Sequence, residues 1–333
     1  MRSSRRAVTV LTAVIASIAL GAFALLPGAA SAKDKLPVPW TVTDALTLQG
    51  QSPDAPPPGS NDWNCKSEAH PRPVILVHGL LANRTVNFST MSPLLANHGY
   101  CVFALTYGES PNVSSPFYTP GGLVRMQDSA KQLKNFVEKV RRRTGSDKVD
   151  IVGHSEGSLM PNYYVKFLGG DEVVHSYVGV TPLWAGTDTG GLGTLDEIGA
   201  SLGISSQLYD TLRPYCDSCH QFLKGSKFIA KMQKGGVASD RVRYTTIATK
   251  NDELVVPYTS GNLEGKHVQN FVAQDVCPGP VPGASPDQSE HLSIIFDPNT
   301  ARLILNALGG GHKAPPCAPV LPGVGALGYT GNP

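Results

Sequence analysis

The reading of this chain turns on Lys148-Val149-Asp150-Ile151-Val152-Gly153-His154-Ser155-Glu156-Gly157-Ser158. Its first half is a short apolar run rich in β-branched residues, the pattern of a strand buried on both faces. Its second half spells Gly-x-Ser-x-Gly. Ser158 to Leu168 then has helical character up to Gly169-Gly170, with Pro161 accommodated in the first turn. A serine on so tight a strand-to-helix turn has a strained backbone and a hydroxyl lifted clear of the sheet. Larger residues in place of the flanking glycines would collide with neighbouring elements. The helix N-terminus beside it favours developing negative charge. A serine hydroxyl is a weak nucleophile until a base takes its proton, so the rest of the chain must supply that base.

Working outward, Pro73 to Val77 reads as a buried strand ending at His78-Gly79, and Tyr100 to Thr106 as a second. Ser92 to Asn97 is the end of a helix that Gly99 stops. Leu123, Met126, Ala130, Leu133, Val137 and Val140 recur at intervals of three and four, opposite a charged face, and Gly145 closes that helix. Ser176 to Thr181, Val242 to Thr249 and Val268 to Val276 are further strands, and Asn299 to Leu308 is a last helix. Strands alternating with helices imply an α/β fold: a mostly parallel sheet with helices on both faces. Residues 33–70 and 309–333, rich in Pro and Gly, read as an extended surface arm and a tail. Residues 183–240 break the strand rhythm. Leu195, Ile198 and Leu202, then Phe222 to Met232, suggest short helices, so a small cap insertion over the serine is expected.

Of the 333 residues, 41% are hydrophobic, enough for a sizeable core. A charged fraction of 16% and a net charge of +2 give no basis for nucleic-acid binding. The basic run Arg141-Arg142-Arg143 sits at a helix C-terminus, where cations suit the dipole. Arg2, Arg5 and Arg6 precede an uncharged stretch from Ala7 to Leu26, a break at Pro27-Gly28 and the small-x-small site Ala30-Ser31-Ala32. This is the pattern of a cleaved export segment, residues 1–32, ahead of a single domain over 33–333. Six cysteines follow it, an even count that suggests three disulfides. Chain position favours Cys65–Cys101, Cys216–Cys219 and Cys277–Cys317. Cys216 and Cys219 have only His220 nearby as a third ligand, and no metal site is expected.

Residue by residue, Ser155 is the candidate nucleophile. The backbone N–H of Glu156, and that of Leu80 in the loop His78-Gly79-Leu80-Leu81, are the candidate oxyanion donors. His78 reads as a packed histidine that shapes the turn. Asp252, in the turn after the fifth strand, is the candidate acid, with Glu253 and Asp287 as rivals. His291 follows the last strand at the sheet edge where the serine sits, and is the candidate base. The order serine, acid, histidine is that of the α/β-hydrolase fold.

The stretch from Val74 to Leu308 resembles the secreted class 2 lipases of actinobacteria. The likeness rests on Val74-Ile75-Leu76-Val77-His78-Gly79, Val152-Gly153-His154-Ser155-Glu156-Gly157, Met160-Pro161-Asn162-Tyr163-Tyr164, Phe167-Leu168-Gly169-Gly170, Asp252 with Val255-Val256-Pro257-Tyr258, and Glu290-His291. It implies a secreted, extracellular serine esterase acting on triacylglycerol or related apolar esters, without a cofactor, as a monomer with transient contact at a lipid interface. Hydrolysis of cutin or a polyester, acyl transfer, or a non-catalytic binding role on the same fold are the alternatives. Related elbows often carry Gln-Gly-Gly where this chain has Glu156-Gly157-Ser158. The Glu156 side chain is expected to point away from the oxyanion, leaving only its N–H in use.

Overall fold

The computed structural model describes residues 34–188, 211–309 and 311–333. The expected export segment, and Leu195, Ile198 and Leu202 of the insertion, lie outside the described residues. Six strands form one sheet: β1 (Val74–Val77), β2 (Val102–Leu105), β3 (Val149–His154), β4 (Val174–Val180), β5 (Arg243–Ala248) and β6 (Val268–Val272). Their order is β2-β1-β3-β4-β5-β6, and every pairing is parallel.

Side chains alternate across each strand, and the apolar pattern sends them to two cores. Ile75, Val77, Phe103, Leu105, Val149 and Ile151 face one layer, with helices α4 (Met126–Thr144) and α5 (Glu156–Phe167). Val74, Leu76, Val102, Ala104 and Val152 face the other, with α2 (Arg84–Phe88), α3 (Met91–Asn97) and the last helix, α8 (Pro298–Gly309). Each such side chain taken from water contributes about 1.5–3 kcal/mol. The chain leaves β1 toward β2 and leaves β3 toward β4, in opposite directions. The loops after these adjacent strands therefore diverge and open a crevice at their carboxyl ends, the usual ligand position in such sheets.

Five sequence expectations are corrected. The arm over 33–70 contains a helix, α1 (Val42–Gln51), capped by the Thr41 side chain. Pro161 lies inside α5 beyond its first turn. The sixth strand ends at Val272, and α7 (Ala273–Val276) replaces its last residues. The C-terminal tail is docked: Val320 and Ala326 are buried, Gln288 N–H donates to the Val320 carbonyl, and Val320 N–H donates to the Pro286 carbonyl. Val42 and Ala326 donate to the Val324 and Trp40 carbonyls, and the Trp40 and Tyr329 rings meet edge to face at 5.4 Å. At the far end of the insertion, α6 (Lys227–Gln233) buries Phe228, Ile229 and Met232 in the core shared with α4 and α5. That end belongs to the body of the domain. The cysteines are bridged as Cys65–Cys101, Cys216–Cys219 and Cys277–Cys317.

Candidate active site

Sterics alone explain the elbow. A Cβ on Gly153 would stand 1.9 Å from the Gly157 carbonyl oxygen, and one on Gly157 would stand 2.1 Å from the Val77 carbonyl oxygen. Only glycines let β3 turn into α5 while β1 lies alongside. Ser155 takes the strain, with φ 57° and ψ −125°, a conformation that costs a non-glycine residue about 1–3 kcal/mol. Its N–H donates to the Val180 carbonyl at 2.9 Å, tying the turn to β4.

The structure brings three of the candidate residues together. Ser155 Oγ lies 2.9 Å from His291 Nε2, and His291 Nδ1 lies 2.9 and 3.1 Å from the Asp252 carboxylate oxygens. The side chains of His291 and Asp252 are almost fully buried. Asp252 Oδ1 also accepts the N–H groups of Leu254 at 3.0 Å and Val255 at 2.7 Å. These donors fix the carboxylate so that it faces the imidazole. The two rivals are placed elsewhere. Glu253 accepts the backbone N–H of His291 at 3.3 Å, and Asp287 accepts from Ser289 N–H and the Asn299 amide.

The loop of the candidate donor Leu80 presses on the serine. A Cβ on Gly79 would lie 3.0 Å from Ser155 Cβ, so glycine permits the close approach. Among the described residues, neither Leu80 N–H nor Glu156 N–H donates within the protein, leaving both for a ligand. Leu81 N–H donates to the Gly121 carbonyl at 2.9 Å and secures the loop from behind. His78 is buried, stacked on Tyr107 at 4.4 Å, and its pKa is pushed down to about 4 by burial. Its Nε2 accepts Tyr107 N–H at 3.2 Å, so Nδ1 carries the proton and donates to the Gly79 carbonyl at 2.8 Å.

Sequence reasoning missed a set of supporting residues. His154 Nε2 lies 2.9 Å from the His291 carbonyl oxygen, which can only accept, and so braces the backbone of the base. Burial first, and His291 second, push the His154 pKa down to about 3. Asn87 Oδ1 accepts Gly79 N–H at 3.0 Å and packs 3.1 Å from His154 Nδ1, beside that brace. Thr249 donates to the Ser289 carbonyl at 2.6 Å. Glu290 accepts from Leu292, Ser293 and Gly323 N–H groups. Burial opposes its charge, but these donors outweigh burial and hold its pKa below the usual value. The one signal in the sequence was a histidine flanking the elbow serine, and its partner was not readable from spacing.

The Glu156 side chain is buried, with its Oε1 3.3 Å from the Tyr107 hydroxyl. Two effects compete there. The N-terminus of α5 favours an anion by about 0.3–2 kcal/mol. Removing a carboxylate from water without a counter-ion costs several kcal/mol. Burial prevails and pushes the pKa up to about 8.

Residues 71–278 match the family model for class 2 lipases. Among solved structures, the chain is similar to lipase B of Aspergillus fumigatus, with 20% identity and a TM-score of 0.57. That match covers 78% of this chain and 56% of the other. It is also similar to a Bacillus licheniformis lipase in its propeptide form, with 14% identity and a TM-score of 0.50, over 78% and 54% of the two chains. The chain thus spans little more than half the length of either enzyme, and at these identities the likeness is one of fold.

Proposed function

This chain belongs to the class 2 lipase family, and we propose on that premise that it is a serine carboxylester hydrolase cleaving acylglycerol esters through an acyl-enzyme. Its architecture is the α/β-hydrolase fold. The observation that carries the reading is the continuous line from Asp252 through His291 to Ser155 at the elbow. His291 Nε2 takes the Ser155 proton as Oγ attacks the ester carbonyl. Leu80 and Glu156 N–H groups receive the oxyanion, and the Asp252 carboxylate balances the imidazolium. As the tetrahedral species collapses, His291 returns the proton to the departing alcohol. A water, deprotonated by the same imidazole, then attacks the acyl carbonyl and frees the acid and Ser155.

An apolar substrate is supported by the rim. Leu81, Leu254, Val256 and Leu292 are exposed large apolar side chains. Leu81 follows an oxyanion donor, Leu254 and Val256 follow the acid, and Leu292 follows the base. A charged or sugar-like ester would gain nothing from such a mouth. Export by residues 1–32 is part of the same proposal and is supported by three disulfides, which persist in oxidising surroundings. A cap over the serine within the insertion 183–240 is also part of the proposal.

A fluorophosphonate probe should label wild type at one site per chain, and Ser155→Ala should abolish the label. A p-nitrophenyl ester series, with emulsified triglyceride and a polyester film beside it, then assigns the substrate. Preference for the film over the emulsion would overturn the acylglycerol assignment. An unlabelled wild type would overturn the serine mechanism.

A further inference from the structure

The mechanism above uses the backbone of Glu156 and leaves its side chain idle, yet that side chain is the least expected group in the elbow. It is 1% exposed, and burial and two hydroxyl neighbours, Tyr107 and Ser218, are the influences on its ionisation. No cation stands beside it among the described residues. Its Oε2 is buried with no hydrogen-bond partner.

A count of protons decides its state. The Tyr107 hydroxyl lies 2.9 Å from the His78 carbonyl oxygen and 3.3 Å from Glu156 Oε1. It owns one proton, and a carbonyl can only accept, so that proton belongs to His78. The Ser218 hydroxyl likewise donates to the Gly122 carbonyl while standing beside the same carboxyl. Both hydroxyls therefore turn lone pairs toward Glu156. A carboxylate would add lone pairs of its own, whereas a carboxylic acid supplies the missing proton.

The place matters as much as the state. A Cβ on Gly122 would lie 3.3 Å from Glu156 Oε1 and 3.1 Å from Leu80 Cα. The carboxyl and the Leu80 backbone thus close on the same glycine. Tyr107 stacks on His78, whose carbonyl it holds and whose ring fixes Gly79. Ser218 sits in the turn closed by the Cys216–Cys219 bridge, and that turn is seated on Leu123 by Asp217 N–H.

We propose that Glu156 is a positioning residue held as a neutral carboxylic acid, whose proton joins the elbow to Tyr107 and so holds the Gly79–Leu80 backbone in place to receive the oxyanion. The proposal rests on the serine-hydrolase reading above. Ionisation of Glu156 would break this link. It would also set a full negative charge on the residue whose N–H must meet negative charge in the transition state. Among the described residues the titratable group in contact with it is Tyr107, behind whose ring His78 is stacked. Tyr107 is itself driven far above its ordinary range by burial first and Glu156 second, so it does not ionise ahead of Glu156.

The test compares wild type, Glu156→Gln and Glu156→Ala on a short soluble ester across neutral and alkaline pH. Wild-type kcat should fall with a midpoint near about 8, and Glu156→Gln, whose amide donates at every pH, should lose that alkaline limb. At neutral pH Glu156→Ala should have kcat about tenfold below Glu156→Gln, with KM little changed. That loss is smaller than the hundredfold or more of deleting an oxyanion donor. An infrared difference spectrum, wild type minus Glu156→Gln at neutral pH, should contain the stretch of a carboxylic acid. An unchanged alkaline limb in Glu156→Gln, or a carboxylate in that spectrum, overturns the proposal. A wild type inert to esters and to fluorophosphonate sinks the functional reading and the oxyanion role with it, while the infrared arm still scores the protonation.

Discussion

Ser155 and His291 stand 2.9 Å apart and are held by opposite means. Ser155 is fixed mainly by its neighbours in sequence, two glycines that admit no Cβ, a strand before it and a helix after it in β3 and α5, with β1 and β4 packed alongside. His291 lies in a stretch without strand or α-helix and is fixed from far away. His154 braces its carbonyl, Glu253 accepts its N–H, Thr249 holds Ser289, and the tail clamps Gln288 and Glu290 through Val320 and Gly323. The lesson is that a nucleophile needing a strained backbone is built by close packing, which is local and unforgiving. The proposed base, His291, is held instead by many separable polar contacts.

Experiments can break or sharpen this contrast, and the largest effect belongs to the serine side. Ser155→Ala should cut ester hydrolysis by about 10⁴-fold or more with the melting temperature preserved, measured by kcat and calorimetry side by side. Gly157→Ala should prevent folding, because its Cβ meets a backbone oxygen at 2.1 Å. A soluble variant with native circular dichroism would show that β1 can retreat. On the histidine side the losses should be graded. Cys277→Ser with Cys317→Ser frees the tail that clamps the His291 loop and should cost about 3–4 kcal/mol on the chain-entropy model, read by urea denaturation. His154→Ala leaves the His291 carbonyl unpartnered, which is worth about 1–3 kcal/mol. A fall in kcat of about ten- to a hundredfold at constant KM is expected, and an unchanged kcat would mean that the brace is redundant.

A separate effect, read as a slope and not a loss, is on the pH dependence of stability. Glu156 binds its proton more tightly folded than unfolded, so its contribution is full below the ordinary carboxyl value and fades as pH rises toward about 8. Between those limits the melting temperature of wild type should decline with pH more steeply than that of Glu156→Gln.

How much of this was legible follows the same division. The apolar runs of β1 to β5 and the period of α4 were readable, because burial on two faces or one stripe leaves a pattern in sequence. The elbow was readable because its constraints are contiguous. Helix α1 was not. Between Pro-rich flanks it buries only Ala45 and Gln49, so it has almost no apolar stripe to detect. The docking of the tail was hidden for another reason. Val320-Leu321 and Ala326-Leu327 are apolar pairs too short to show a period among Pro and Gly, and only the Cys277–Cys317 bridge and distant carbonyls give them a place. Asn87 and His154 carry no spacing signal at all, since 67 positions separate them. Chain order suggested bringing Ser155, Asp252 and His291 together, but the choice of Asp252 over Glu253 depends on which carboxylate the Leu254 and Val255 N–H groups capture.

The meeting of Trp40 with Tyr329 has a practical side. The two arms of the body already touch, so a covalent cross-link between them would need only a short span. Such a link would shield both arms from proteolytic nicking. It would also remove fraying of either arm as a route of local opening, and because the tail steadies the loop of His291, resistance to heat and retention of catalytic geometry should rise together.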